Sequence, residues 1–208
     1  MVKEIKTYFP ALTVKQQQQF EALQGLYEDW NAKINVISRK DIGNLTQHHL
    51  LHSLSIAKYI SFTPGTRIMD VGTGGGFPGI PLAIFFPDVH FLLLDSIGKK
   101  IKVAEAVAKE IDLSNVEVIH ARVEEEKRKF HFIVSRAVMP LPDLVRVTRK
   151  NIAADQLNAI PNGLICLKGG DLTAEIQPFR RMADEIELSA YFPEPFFHTK
   201  KLVYVSLS

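Results

Sequence analysis

The chain has 208 residues, 46% of them hydrophobic and 23% charged, with a formal net charge of +2. That composition describes one globular domain with an appendage or two small ones, and it excludes a disulfide-stapled miniprotein and a polybasic chain whose charge alone would argue for nucleic acid. The single cysteine, Cys166, lies in the apolar run LICLK and reads as a buried thiol suited to a reducing compartment; with no basic-apolar leader and no run of about 18 apolar residues, the expectation is a cytoplasmic protein that does not engage a membrane.

In chain order, residues 13–37 read as an amphipathic helix. Leu23, Leu26, Tyr27, Trp30 and Ile34 recur at helical spacing, and Thr13 with Gln16 has the pattern of a capping box. A second helix is expected over 45–60, followed by a turn at Pro64-Gly65. From there strands at 67–71, 90–95, 116–120, 132–135 and 164–168 alternate with helices at 79–86, 98–111, 141–150 and 171–183. Such alternation builds parallel βαβ units with right-handed crossovers. At the end, EIELSAYF and KLVYVSLS read as two strands with no helix between them, so an antiparallel pair should close the sheet. The expected fold is α/β: a doubly wound, Rossmann-like sheet, mostly parallel with a C-terminal antiparallel strand. An N-terminal helical cap over 1–62 precedes a ligand-binding domain over 63–208.

The stretch MDVGTGGGFPGIPLA, residues 69–83, follows the first expected strand and opens a helix. In doubly wound sheets ligands bind beyond the carboxyl ends of the strands at the switch point, and glycine lets backbone approach them. Gly74, Gly76 and Gly79 satisfy G-x-G-x-x-G, a weak pattern by itself, and no Lys-Ser/Thr pair follows to make a P-loop. Asp70 discriminates better. With Gly72, Gly74 and Gly76 it forms D-x-G-x-G-x-G, and a carboxylate there suits a ligand carrying a cationic amine rather than a pyrophosphate; the plain reading is that Asp70 caps the turn. Asp95 ends the second strand in FLLLD, where a carboxylate accepts hydrogen bonds from a ribose diol. That ribose is common to NAD and S-adenosylmethionine. After the third strand, HARVEEE places Val123 to pack on a base and Glu124, or a nearby backbone N–H, to meet its polar edge.

These pieces together resemble the class I S-adenosylmethionine-dependent methyltransferases. More closely, the blocks WNAKINVIS, HHLLHSL, MDVGTGGGFPGIPLAIFFPD, LLLDSIGKKI, NVEVIHARVEE and VSRAV, together with LKGG at 167–170, resemble the GidB (RsmG) family. The resemblance implies a bacterial 16S ribosomal RNA methyltransferase acting on N7 of a guanine in the decoding-region hairpin, with the RNA or the small ribosomal subunit as partner; a monomer is the expected form. It also implies S-adenosylmethionine against Gly72, Phe77, Val123, Glu124 and Arg136. Where the family has an Asp in its H-F-L-D-S segment this chain has His52, and Gly75 stands at a variable place in the loop.

No Ser-His-Asp order, H-E-x-x-H or zinc-type cysteine pair occurs, and no metal is expected; His49 and His52, at i, i+3, read as helix contacts or an RNA-facing surface. No catalytic base is assigned. Guanine N7 has an in-plane lone pair and no proton, so attack needs alignment at about 3–3.5 Å and exclusion of water rather than proton transfer. A donor on N7 would block attack, so Arg136 is expected to hold guanine O6, a phosphate or the cofactor carboxylate. RNA contacts are expected from Lys99 and Lys100 first, then Arg146 with Arg149 and Lys150, and the run Lys127–Lys129. Two further readings compete: an NAD(P)-dependent oxidoreductase, supported by the nominal glycine match but opposed by Asp70 and the crowded Phe77-Pro78, and a non-catalytic rRNA-binding or assembly factor on a methyltransferase fold.

Overall fold

The computed structural model describes residues 1–38 and 40–208. Seven strands form one sheet in the order β3-β2-β1-β4-β5-β7-β6. They are β1 (Arg67–Val71), β2 (His90–Asp95), β3 (Val116–His120), β4 (Phe132–Arg136), β5 (Gly163–Gly169), β6 (Ala183–Glu187) and β7 (Lys200–Ser206). The first five are parallel, and β7 runs antiparallel to both β5 and β6. The chain winds outward from β1 through β2 to β3, then returns to place β4 on the other side of β1. This reversal opens the sheet between the carboxyl ends of β1 and β4, with Val71 paired to Ser135.

Both faces of the central strands are covered, which is why β1, β2, β4 and β5 read as apolar runs with little alternation. On one face Ile68, Leu93, Phe132 and Ile165 join the helices α2 (Val14–Asn31), α3 (His52–Tyr59), α4 (Gly79–Phe85) and α5 (Gly98–Glu110). Phe20, Leu23 and Tyr27 of α2 are fully buried there, each worth roughly 1.5–3 kcal/mol of transfer free energy. One continuous core therefore joins the N-terminal helices to the sheet. On the other face Met69, Leu92, Ile133, Leu164 and Cys166 pack against α6 (Leu141–Thr148). Burial pushes the Cys166 thiol up to about 12, so it is an inert part of that core.

The capping box at Thr13 and Gln16 is present, each side chain bonded to the other's backbone N–H. Helix bounds depart from the periodicity where side chains compete for the backbone. The helix expected to reach residue 37 stops at Asn31, whose Oδ1 accepts from the N–H groups of Val36 and Ile37 while its Nδ2 donates to Ile37 O. That local closure replaces helical bonds, although Ile34 still packs on the core. The helix expected over 171–183 shrinks to α7 (Thr173–Ile176) and a 3₁₀ turn at Gln177–Phe179. Pro178 sits in that turn and has no N–H to continue a helix, and Ala183 already begins β6. Residues 45–60 divide into a wide-turned π-helical segment, Leu45–Leu51, and α3. A short helix, α1 (Val2–Tyr8), was not legible in the pattern. Among the described residues no helix is long and apolar enough to cross a membrane.

Candidate cofactor and substrate site

A cavity of about 570 Å³ opens at the carboxyl ends of β1, β2 and β4, its lining including Gly72, Asp95, Lys100, Val123, Glu124 and Arg136. That volume suits a small-molecule ligand. Large exposed apolar side chains are few, yet Ile97 (41% exposed) and Val138 (39%) both flank this cavity. The lining is thus apolar on two sides and charged elsewhere.

The glycine loop is braced from beneath. Asp70 is fully buried at the end of β1. Its Oδ2 accepts from Thr73 Oγ1 at 2.7 Å and from Gly79 N at 2.8 Å, while its Oδ1 has no partner among the described residues. Burial raises its carboxyl to about 7, against the opposing pull of the Thr73 and Gly79 hydrogen bonds and of Arg136. Gly79 must be glycine for a packing reason, since a Cβ would stand 2.7 Å from Leu93 Cγ and 2.8 Å from Asp70 Oδ2. Gly72 combines a φ of +69° with close approach: a Cβ there would lie 2.3 Å from Val138 Cγ2. Asp95 closes the rim. Its Oδ2 accepts from Gly74 N and its Oδ1 from Ile97 N, both at 2.9 Å, and each carboxylate oxygen keeps capacity for a further donor.

At the end of β4, Arg136 lies half-buried over the Phe77 ring, its Cζ 5.1 Å from the centroid. Nη1 donates to His48 O at 3.2 Å and Nη2 donates to His49 Nδ1 at 3.0 Å. Burial lowers its guanidinium to about 10, partly offset by Asp70, Tyr27 and Asp41. His49 bonds Asp41 Oδ2 through Nε2 at 3.0 Å. Burial and the neighbouring guanidinium lower it to about 4, despite its bond to Asp41. It is therefore a neutral imidazole at neutral pH.

Of the residues singled out from the sequence, Gly72, Asp95, Val123, Glu124, Arg136 and Lys100 meet around this one cavity. Asp70, Gly74 and Phe77 stand behind the lining; Phe77 is buried between Tyr27 and His49, with ring centroids at 4.8 and 5.1 Å. Lys99 is exposed at the start of α5 beside Lys100. Arg146 is exposed, paired with Asp143 at 3.0 Å, and outside the lining. Within the run at 127–129, Arg128 is engaged by Glu117 and Glu126. His52 is buried, edge-on to Phe196 and Phe197, with its Nε2 unpartnered among the described residues. Gly75 contributes its carbonyl to Tyr27, and a Cβ added there would stand 3.0 Å from Val36 Cβ. Sequence reasoning missed Asp41, which sits in no periodic pattern, and the roles of Ile97 and Val138. An exposed apolar residue just past a strand was the available signal for those two.

A glycine loop after β1, an acid ending β2 and a sheet in the order 3-2-1-4-5-7-6 define a Rossmann-like methyltransferase fold. Solved structures agree on the fold. The chain is similar to a SAM-dependent methyltransferase from Aquifex aeolicus (TM-score 0.56, 17% identity, 83% of this chain and 100% of that one). It is also similar to a mutant of MtNAS in complex with S-adenosylmethionine (TM-score 0.58, 11% identity, 92% and 76%). Residues 16–188 match the family model described as GidB, rRNA small subunit methyltransferase G. The chain is 63% identical over 203 residues to the ribosomal RNA small subunit methyltransferase G of Parabacteroides distasonis, covering 98% of this chain and 88% of that protein. Its counterpart in Bacteroides thetaiotaomicron is 63% identical over 200 residues, covering 96% and 97%. The chain belongs to the rRNA small subunit methyltransferase G family, whose activity is methylation of ribosomal RNA.

Proposed function

We propose that this protein transfers the methyl group of S-adenosylmethionine to N7 of a guanine in the decoding-region hairpin of 16S ribosomal RNA. The lining fits that cofactor: Gly72 leaves room for backbone approach, Asp95 keeps acceptor capacity for ribose hydroxyls, and Ile97 with Val123 offers apolar surface to a purine. The cofactor supplies an electrophilic methyl on a sulfonium. Asp70 acts from below, holding the loop in shape through Thr73 and Gly79. In this reading residues 1–62 form a helical cap on the cofactor domain, 63–208.

The observation that carries the reading is Arg136. Among the described residues it is paired with no carboxylate, and three of its five N–H bonds have no protein partner while it lines the cavity. Such a group suits guanine O6, a phosphate or the cofactor carboxylate, and in each case leaves N7 free to attack. Guanine N7 carries no proton, so the residues need only align the base and exclude water. The test is methyl transfer from labelled S-adenosylmethionine to small subunits from cells lacking the enzyme, followed by nucleoside identification. Label in 7-methylguanosine is the expected result; label in another nucleoside, or none with cofactor binding intact, overturns the assignment.

A further inference from the structure

An arginine that must orient a substrate needs fixed direction without losing its charge. Pairing it to a carboxylate gives direction but cancels charge. This structure does something else. Both protein acceptors of Arg136 are neutral: the carbonyl of His48 and the Nδ1 of His49. Both come from the π-helical segment Leu45–Leu51, and π-type turns occur often at functional sites. A single carboxylate stands behind the pair. Asp41 Oδ2 bonds His49 Nε2 at 3.0 Å, and Asp41 Oδ1 bonds His48 Nδ1. With the Nε2 proton directed at Asp41, the Nδ1 lone pair is left to receive the guanidinium N–H. The ring of His48 is itself held, stacked at 3.9 Å on Phe196. The Phe77 ring forms the floor under the guanidinium.

We infer that Asp41 and His49 are positioning residues for the methyl-transfer step, acting through Arg136 by fixing the direction in which its free N–H bonds face the reacting pair in the cavity. The inference rests on the reading of Arg136 as a contact of the substrate or the cofactor in this cavity. Neither residue lines the cavity, and neither touches substrate in this account.

The test uses the full chain and small ribosomal subunits from cells lacking the enzyme. His49→Phe keeps a ring of similar volume and removes the acceptor. His49→Asn returns an acceptor near the Nδ1 place. Asp41→Asn, at a half-exposed position, tests the same chain of bonds with little effect on packing and stands in if His49→Phe unfolds. His49→Phe is expected to lower kcat/KM for the ribosomal substrate by about ten-fold or more. His49→Asn should recover most of that loss, and Asp41→Asn should lose activity in the same direction. In an Arg136→Ala background, His49→Phe should cost nothing further, because residues acting as a unit are not additive. If Arg136→Ala is impaired but His49→Phe and Asp41→Asn run at the wild-type rate, this inference alone falls. If Arg136→Ala runs at the wild-type rate, the Arg136 contact and the inference fall together. Equal losses in His49→Phe and His49→Asn, or losses additive with Arg136→Ala, assign His49 a packing role and also overturn it.

Discussion

Tyr27 donates its hydroxyl to the carbonyl of Gly75 across 2.8 Å, tying the long N-terminal helix to the glycine loop. The side chain is fully buried, so the bond is not exchanged for one to water. Tyr27→Phe leaves the Gly75 carbonyl without that partner, at a cost of about 1–3 kcal/mol. The expected outcome is a lower unfolding temperature together with weaker S-adenosylmethionine binding, because the same loop bears Gly72 and Gly74. Calorimetry on the variant checks both, and a variant unchanged in both properties shows that the helix and loop are not coupled through this bond.

Gly72 makes a sharper prediction. Its φ of +69° disfavours a side chain, and the first atom of one would stand 2.3 Å from Val138 Cγ2 at the cavity wall. Gly72→Asp adds a charge to that crowding. Cofactor affinity is expected to fall by about a hundred-fold, or about 2.7 kcal/mol, with the far-ultraviolet spectrum retained. Titration with S-adenosylmethionine decides it: wild-type affinity in Gly72→Asp removes the loop from the cofactor site.

Much of this architecture was legible because the parallel strands are buried on both faces, and apolar runs such as FLLLD at 91–95 have no other comfortable home. The antiparallel close was legible for a simpler reason: the Pro-rich stretch between the last two strands carries no helical pattern for a crossover. What escaped was set by side chains reaching across the chain. Asn31 ends its helix through bonds to Val36 and Ile37, which periodicity does not register. In the site, the ends of β1, β2 and β4 marked Gly72, Asp95 and Arg136 in advance. Asp41 was invisible, because its meaning depends on His48 and His49 turning toward Arg136, and no spacing rule contains that. Among the basic clusters, sequence ranked Lys99 and Lys100 first only because they follow Asp95, and the fold places Lys100 at the cavity and Arg146 beside Asp143 outside its lining.

That separation bears on RNA binding. Lys99 and Lys100 begin α5 next to the cavity, whereas Arg146 is held by an acid outside its lining. Lys99→Ala with Lys100→Ala should weaken RNA binding and flatten its salt dependence, by about 0.7 in the log–log slope for each single-strand phosphate that is no longer neutralised. Arg146→Ala should leave the slope nearly unchanged. Binding isotherms at several salt concentrations check this, and a double variant with the wild-type slope takes both lysines out of the interface.

Asp70 gives a pH signature. Its carboxyl is raised by burial from 3.8 to about 7 in the folded chain. An acid with a raised folded value holds its proton more tightly when folded, so between about pH 4 and 7 the native state binds more protons than the unfolded one. Stability from this group is therefore fully present below pH 4 and declines as pH rises to 7, by up to about 1.4 kcal/mol per pH unit. Asp70→Asn keeps an oxygen for Thr73 and Gly79 and cannot ionise. The variant should match the wild type near pH 4 and exceed it in stability near pH 8. Denaturant unfolding of both proteins across that range isolates the difference, since every other titrating group is shared. A gap between the two curves that does not change with pH would mean that Asp70 is ionised throughout, balanced by Arg136 rather than by a proton.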